Sequence, residues 1–210
     1  MSAGDRWVCL DIGETLVDET RVWTTWAHLI GVTPLVLMGA IGAALAAGGS
    51  HQDALQRFEP GWVDRIPEAE DAYGPFRPSD LYPDALPALD ALRADGWRVA
   101  VIGNQPARRT AELRALGVGP DLMVMSEELG AEKPSAAFYD LALAAMGGPP
   151  PAQVTYVGDR MDNDVVAAVA QGLHAVHLRR GPWGILGPQD DGRARAVVDD
   201  LDGLVRALRP

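Results

Sequence analysis

A single cysteine, Cys9, stands among 210 residues, so the chain cannot close an internal disulfide. Cys9 lies in an apolar run with no basic neighbour in sequence, which marks a buried structural thiol and not a nucleophile. Cations are scarce: 18 Lys and Arg stand against 29 Asp and Glu, a formal charge of -11. That balance excludes a nucleic-acid surface, which needs clustered cations to replace counterions. It leaves local anion binding open, because one lysine or one metal ion dominates a small site. Lysine itself is nearly missing; Lys133 is the only one, and every other basic residue counted is arginine. No long hydrophobic run is uninterrupted either. The most apolar stretch, Leu29 to Gly48, is broken by Pro34 and several glycines and lacks close basic flanks, so it does not read as a membrane span. It reads as the end of one helix followed by another, with Thr33 as N-cap, Pro34 as the first helical residue and Gly48 near the stop. Met1 to Asp5 lack the basic and apolar parts of a secretory leader, so a cytoplasmic location is the default expectation.

What the chain does contain is an ordinary globular composition, 48% hydrophobic and 22% charged, enough for one core with a small accessory domain. Trp7 to Leu10 has the length and residue types of a buried strand and ends at a carboxylate, Asp11, before Gly13. In open α/β sheets, ligands bind beyond the carboxyl ends of the strands, where Asp11 would stand. Taken alone, Asp11 could simply cap the next turn. Three later segments repeat the arrangement of a strand ending in polar residues. Arg98 to Ile102 leads into Gly103-Asn104-Gln105, Leu122 to Met125 is short, and Gln153 to Val157 leads into Gly158-Asp159. A further strand spans His174 to Leu178. Helices are predicted over 83–94, 106–116, 135–146, 162–170 and 201–208. Strands alternating with helices imply right-handed crossovers and a mainly parallel, doubly wound sheet of the α/β class. Residues 17–80 break the alternation. They are helical at Glu19 to Ile30 and at Thr33 to Gly48, and from Ser50, whose spacing to Asp53 resembles a capping box, to Phe58. From Gly61 to Tyr82 little periodicity remains.

Four segments, in order and at the expected spacing, resemble the motifs of the haloacid dehalogenase-like hydrolase superfamily. They are Asp11-Ile12-Gly13-Glu14-Thr15-Leu16, Val99 to Asn104, Glu132-Lys133-Pro134, and Val157-Gly158-Asp159 through Asp164. The resemblance implies a flavodoxin-like core, residues 1–16 and 81–210, with 17–80 as a small α-helical cap domain. It implies Asp11 as the nucleophile that forms an aspartyl-phosphate, with Lys133 as a catalytic partner contacting both a carboxylate and the phosphoryl group. It also implies an Mg²⁺ site built from Asp11, the carbonyl of Gly13, Asp159 and Asp164. A lone lysine among arginines supports the role of Lys133, since a compact ammonium and a planar guanidinium are not interchangeable. Hard oxygen ligands such as Asp159 and Asp164 suit Mg²⁺, although both would also serve as helix-capping anions.

Two motifs depart from the family pattern. Gly13 stands where the phosphatases of the family carry the aspartate that protonates the leaving group, and glycine transfers no proton. Gly103 replaces a phosphate-binding hydroxyl, leaving the amides of Gly103 and Asn104 as anion donors. A proton would then come from water or from a cap residue, or would not be needed; the candidates are Glu14, which adjoins Gly13 but is expected to point elsewhere, and the cap carboxylates Asp18 and Glu19. The implied activity is hydrolysis of a small phosphorylated molecule. The alternatives are a catalytically weak phosphate-binding or regulatory protein, a metal-independent dehalogenase, and a phosphonate hydrolase, whose cap lysine is missing here. The four histidines show no ligand spacing, and His174 and His177, in a strand, read as structural. Arg179-Arg180-Gly181-Pro182-Trp183-Gly184 follows the last core strand, where it either lines the site mouth or, on the plainer reading, forms a basic turn. Trp23, Trp26 and Trp62 are candidates for substrate contact, with core packing of the cap as the plainer reading.

Overall fold

The computed structural model describes residues 6–209; Met1 to Asp5, on which the leader reading rests, and Pro210 lie outside. Among the described residues six strands form one sheet: β1 (Trp7–Leu10), β2 (Arg98–Gly103), β3 (Leu122–Met125), β4 (Val154–Gly158), β5 (His174–Leu178) and β6 (Ala196–Val198). All neighbours pair in parallel, in the order β3-β2-β1-β4-β5-β6. The doubly wound expectation holds, and the order has one strand more on the β2 side than a flavodoxin sheet. β6 is an addition to the sequence reading. Its three residues, between Arg195 and Asp199, are too few to show a period.

Between β1 and β2 the chain forms α1 (Thr20–Leu29), α2 (Pro34–Ala46), α3 (His51–Phe58) and α4 (Ile66–Tyr73). Ser50 and Asp53 close the expected capping box, with the Ser50 amide donating to Asp53 Oδ2 at 2.6 Å. α2 ends where Gly48 takes φ +80°, a conformation that favours glycine. α4 lies where little periodicity was read: Ile66, Ala69 and Tyr73 do follow helical spacing, but acidic residues dilute the pattern. The remaining helices are α5 (Ala85–Ala94), α6 (Arg108–Ala115), α7 (Ser126–Leu129), α8 (Ala136–Ala145), α9 (Ala167–Ala170), α10 (Gly181–Leu186) and α11 (Leu201–Leu208). A π-helical turn, Met161–Val166, precedes α9.

The period of two along each strand divides the core. Val8 and Leu10 point with Val99, Val101 and Val176 toward Leu89, Leu92, Leu113 and Leu204. Trp7 and Cys9 point the other way, with Ala100, Ile102 and Tyr156, toward Phe138, Tyr139 and Val165. Both faces are covered, which is why the strands read as continuous apolar runs. Each fully buried Val or Leu here contributes about 1.5–3 kcal/mol relative to exposure. Cys9 is buried and free, as its sequence context indicates.

The helices between β1 and β2 pack around a separate apolar cluster of Trp23, Trp26, Leu37, Ile41 and Leu55, which Trp183 joins from α10. Gly42 lets α2 approach α10 closely: a Cβ there would stand 3.0 Å from Leu186 Cδ1. Entry to and exit from this segment are tied together. Val17 and Leu81 form an antiparallel bridge, and the Asp18 amide donates to the Asp80 carbonyl at 2.7 Å. Arg21 adds an ion pair to Asp80. Across the gap to α6, the buried Arg109 pairs with Glu70 of α4 at 2.9 Å and with Glu112 at 2.6 Å. Among the described residues no helix is long and apolar enough to cross a membrane; the Leu29 to Gly48 stretch lies in α1 and α2, which meet at a sharp bend.

Candidate active site

The sheet ladder of β1 reaches Asp11, whose amide donates to the Val157 carbonyl at 2.9 Å, and the chain then turns about the Ile12 carbonyl, which accepts from the Leu16 and Val17 amides at 2.9 Å. β1 and β4 are the strands between which the sheet order reverses, so Asp11 and Asp159 flank the crevice in which such folds bind ligands. Behind Asp11 lies Gly103 at the end of β2. A Cβ on Gly103 would stand 2.5 Å from Asp11 Oδ1 and 3.2 Å from Ile12 Cδ1, so the Asp11 carboxylate occupies the space a larger residue would need.

Four of the expected side chains converge. Lys133 Nζ stands 2.8 Å from Asp11 Oδ1 and 2.6 Å from Asp164 Oδ1. Asp11, Asp159 and Asp164 each offer a carboxylate oxygen within 4.8 Å of the others, and all three residues are buried. Asp164 is further held by the Arg160 amide, which donates to Oδ2 at 2.9 Å. His177 is structural, as expected of a histidine in a strand: its Nε2 donates to the Asp159 carbonyl at 3.1 Å. Asn104 lies on the cavity wall, and its side chain makes two hydrogen bonds to the Lys133 backbone.

The electrostatics are unbalanced. Burial alone would push the Lys133 ammonium down, but Asp11 and Asp164 hold it above its ordinary value. Burial, with Asp164 and Asp11 beside it, raises Asp159 well above the carboxylate range; burial and Asp11 raise Asp164 against the opposing pull of Lys133. Three buried carboxylates face one ammonium, and among the described residues no hydrogen bond or ion pair reaches the Asp159 carboxylate. This donor set, all hard oxygens with surplus negative charge, fits a divalent cation of the Mg²⁺ type.

The site opens into a cavity of about 580 Å³ roofed by the segment between β1 and β2. Gly13 is on its wall. A Cβ added at Gly13 would land on Glu19 Oε1, so the Glu19 carboxyl takes the place of a side chain at position 13. Glu19 is half-buried; loss of water around its carboxyl, with Glu14 and Asp11 nearby, pushes it up to about 8. Glu14 sits in the left-handed region at φ 51° and is clamped, with Tyr82 Oη donating to its Oε2 at 2.5 Å. Asp18 accepts from the Thr20 amide at 2.8 Å and lines a different hollow.

Of three aromatic wall residues, sequence reasoning missed His51 and favoured packing for Trp23 and a basic turn for the Trp183 segment. Trp23, His51 and Trp183 form a mutually packed aromatic cluster, with ring centroids 5.4 to 5.7 Å apart. Burial, with Arg160 nearby, pushes His51 down to about 4. The basic turn after β5 is in fact the start of α10; it anchors Arg180 on Asp84 and delivers Trp183 to the cavity. Only the aromatic character of Trp183, beside a glycine-proline turn at a strand end, hinted at this.

The family model for haloacid dehalogenase-like hydrolases matches residues 6–172. Among similar curated proteins, a glyceraldehyde 3-phosphate phosphatase of Methanopyrus kandleri is 34% identical over 113 residues, 52% of this chain and 48% of that protein. A phosphoglycolate phosphatase of Cereibacter sphaeroides is 30% identical over 174 residues, 81% of this chain and 76% of that one. The chain spans about half the length of several curated relatives it matches. A solved HAD phosphatase from Thermococcus onnurineus shares the fold at a TM-score of 0.67, with 21% identity and 97% of each chain covered.

Proposed function

The chain belongs to the haloacid dehalogenase-like hydrolase family, and from that premise we propose that it is an Mg²⁺-dependent phosphatase acting on a small phosphorylated molecule. Asp11 is the nucleophile in this reading, and residues 17–80 form the cap that covers the substrate. The observation that carries it is the single ammonium of Lys133 between Asp11 and Asp164, beside a third buried carboxylate at a strand end.

Each group then has a defined task. Asp11, Asp159 and Asp164 would hold Mg²⁺, which when bound neutralises the repulsion between a carboxylate and an anionic phosphoryl group. An Asp11 oxygen attacks phosphorus, the bond to the leaving oxygen breaks, and water later hydrolyses the resulting aspartyl-phosphate. Lys133 holds Asp11 in one orientation and offers its remaining N–H to a phosphoryl oxygen. The amides of Gly103 and Asn104 are donors for the same group. A dehalogenase would not need the three-carboxylate cluster, and a phosphonate hydrolase would need a lysine in residues 17–80, where there is none.

The test is turnover of a panel of aryl and alkyl phosphates with and without Mg²⁺, alongside Asp11→Asn. Metal-dependent hydrolysis that Asp11→Asn abolishes, with an unchanged circular dichroism spectrum, is the expected result. Wild-type rates in Asp11→Asn would overturn the reading.

A further inference from the structure

The geometry points to Glu19 as the residue that protonates the leaving group, acting from the space that a side chain at position 13 would occupy. This inference rests on the phosphatase reading above. Its basis is steric. Position 13 follows the nucleophile by two residues and faces the cavity, yet it is glycine, and the atom filling the vacated side-chain volume is Glu19 Oε1. A carboxyl thus enters the cavity that Asp11 lines, at the position two residues beyond the nucleophile, from a different point in the chain.

The placement of Glu19 is held from both sides. Its amide donates to Glu14 Oε1 at 3.0 Å, and its carbonyl accepts from the Trp23 amide at 3.1 Å, at the start of α1. Glu19 stands at the N-cap position of that helix, but its side chain does not cap it. It is directed into the cavity instead, close to the Trp23 indole. Asp18, the preceding residue, is bonded to the Asp80 backbone beside the Val17–Leu81 bridge. Glu19 is therefore rooted where the inserted segment meets the sheet and keeps its position relative to Asp11 if the rest of that segment moves.

Of the other nearby carboxyls, three are held by partners or face another hollow, and Glu132 lies at the exposed rim of the cavity. Glu14 is spent on Tyr82 and on the Glu19 amide. Asp18 faces another hollow. Asp162 pairs with Arg160 at 2.6 Å, and Glu132 lies exposed. In the transfer itself, the O–H of Glu19 gives its proton to the oxygen that departs from phosphorus. The resulting carboxylate then takes a proton from the water that attacks the aspartyl-phosphate, which returns Glu19 to its starting form.

Four proteins are compared on an alkyl phosphate and on p-nitrophenyl phosphate: the wild type, Glu19→Gln, Glu19→Ala, and Glu19→Ala combined with Gly13→Asp. Mg²⁺ affinity is measured by calorimetry on each. General acid assistance contributes about 10² to 10⁴ in rate, so Glu19→Gln should lose that factor in kcat on the alkyl phosphate and far less on the aryl one. Mg²⁺ affinity should not change. The double variant should regain alkyl turnover over Glu19→Ala, because removing the Glu19 side chain frees the space that an aspartate at 13 needs. Equal losses on both substrates, a loss of Mg²⁺ affinity, or no loss in Glu19→Gln would overturn the assignment while leaving the phosphatase reading standing. A wild type inert on both substrates with Mg²⁺ would overturn the phosphatase reading and this inference with it.

Discussion

Asn104 grips the backbone of Lys133 with both ends of its amide: Nδ2 donates to the Lys133 carbonyl at 3.0 Å, and Oδ1 accepts from the Lys133 amide at 2.8 Å. The end of β2 thereby fixes the loop that carries the one lysine of the chain, and the ammonium arrives between Asp11 and Asp164 without having to be ordered by substrate.

Lys133→Met should abolish turnover and destabilise the metal-free protein. Removing one partner of a buried charge pair typically costs about 3–5 kcal/mol. Urea denaturation with and without Mg²⁺ measures this, and the deficit should be largest without the ion. Lys133→Arg should not restore activity, since the planar guanidinium cannot occupy a place 2.6 to 2.8 Å from two carboxylates built around a compact ammonium. Wild-type turnover in Lys133→Arg would contradict that view.

Gly103→Ser would bring the sequence closer to the family motif, yet it should impair the protein. The new Cβ would stand 2.5 Å from Asp11 Oδ1, so the carboxylate would have to move. A misplacement on the order of 1 Å costs about 10²-fold in rate. The measurement is kcat of Gly103→Ser on the best aryl phosphate; a gain in kcat would mean that Asp11 relocates without penalty.

Asp159→Ala should weaken Mg²⁺ binding about tenfold or more, equivalent to 1.4 kcal/mol. The raised pKa of Asp159 and Asp164 means that protons compete with the ion, so affinity should strengthen as pH rises. Calorimetric titrations at two pH values check both statements. An affinity unchanged in Asp159→Ala would place the ion elsewhere.

His51 makes the stability of the fold, and not only metal affinity, favour higher pH. Its pKa lies at about 4 in the folded protein against an ordinary 6.5, so below 6.5 the unfolded chain takes up a proton that the folded one refuses. This contribution to stability is present above 6.5 and is lost as pH falls toward 4. The drop in Tm between pH 7 and pH 5 should therefore shrink in His51→Gln. An identical drop would show that His51 is protonated without opening the aromatic cluster.

If residues 17–80 are a cap, their amides should exchange as a unit and faster than those of the sheet. Glu70→Gln weakens the clasp on Arg109 and Arg108 and should raise exchange in α1 to α4 while β1, β2 and β4 stay protected. Exchange that rises equally in the sheet would mean one cooperative unit.

The strands and helices of the core were legible because their signals are local. Leu122–Met125, His174–Leu178 and Leu201–Leu208 have the bounds that their hydrophobic runs predict, since an apolar run between turn residues needs no distant information. That Asp11, Lys133, Asp159 and Asp164 come together was expected from short motifs at or near the ends of elements. α4 and β6 were not: one carries too much charge on its exposed side and the other has too few residues for a period to emerge.

Which residues meet across the cavity was decided only in three dimensions. Nothing near Gly13 in sequence announces that Glu19 fills its side-chain space, because Glu14 and Asp18 are equally acidic and both nearer in the chain. The choice among them follows from the bond of Glu14 to Tyr82 and of Asp18 to the Asp80 backbone, both made by chain that returns from the far side of the insertion. His51 and Trp183 likewise belong to segments that meet only once α3 and α10 pack on α1. The sequence by itself determines local periodicity and the chemistry available at strand ends. Long-range packing determines which of those groups share a wall, because side-chain direction depends on partners that the local sequence does not contain.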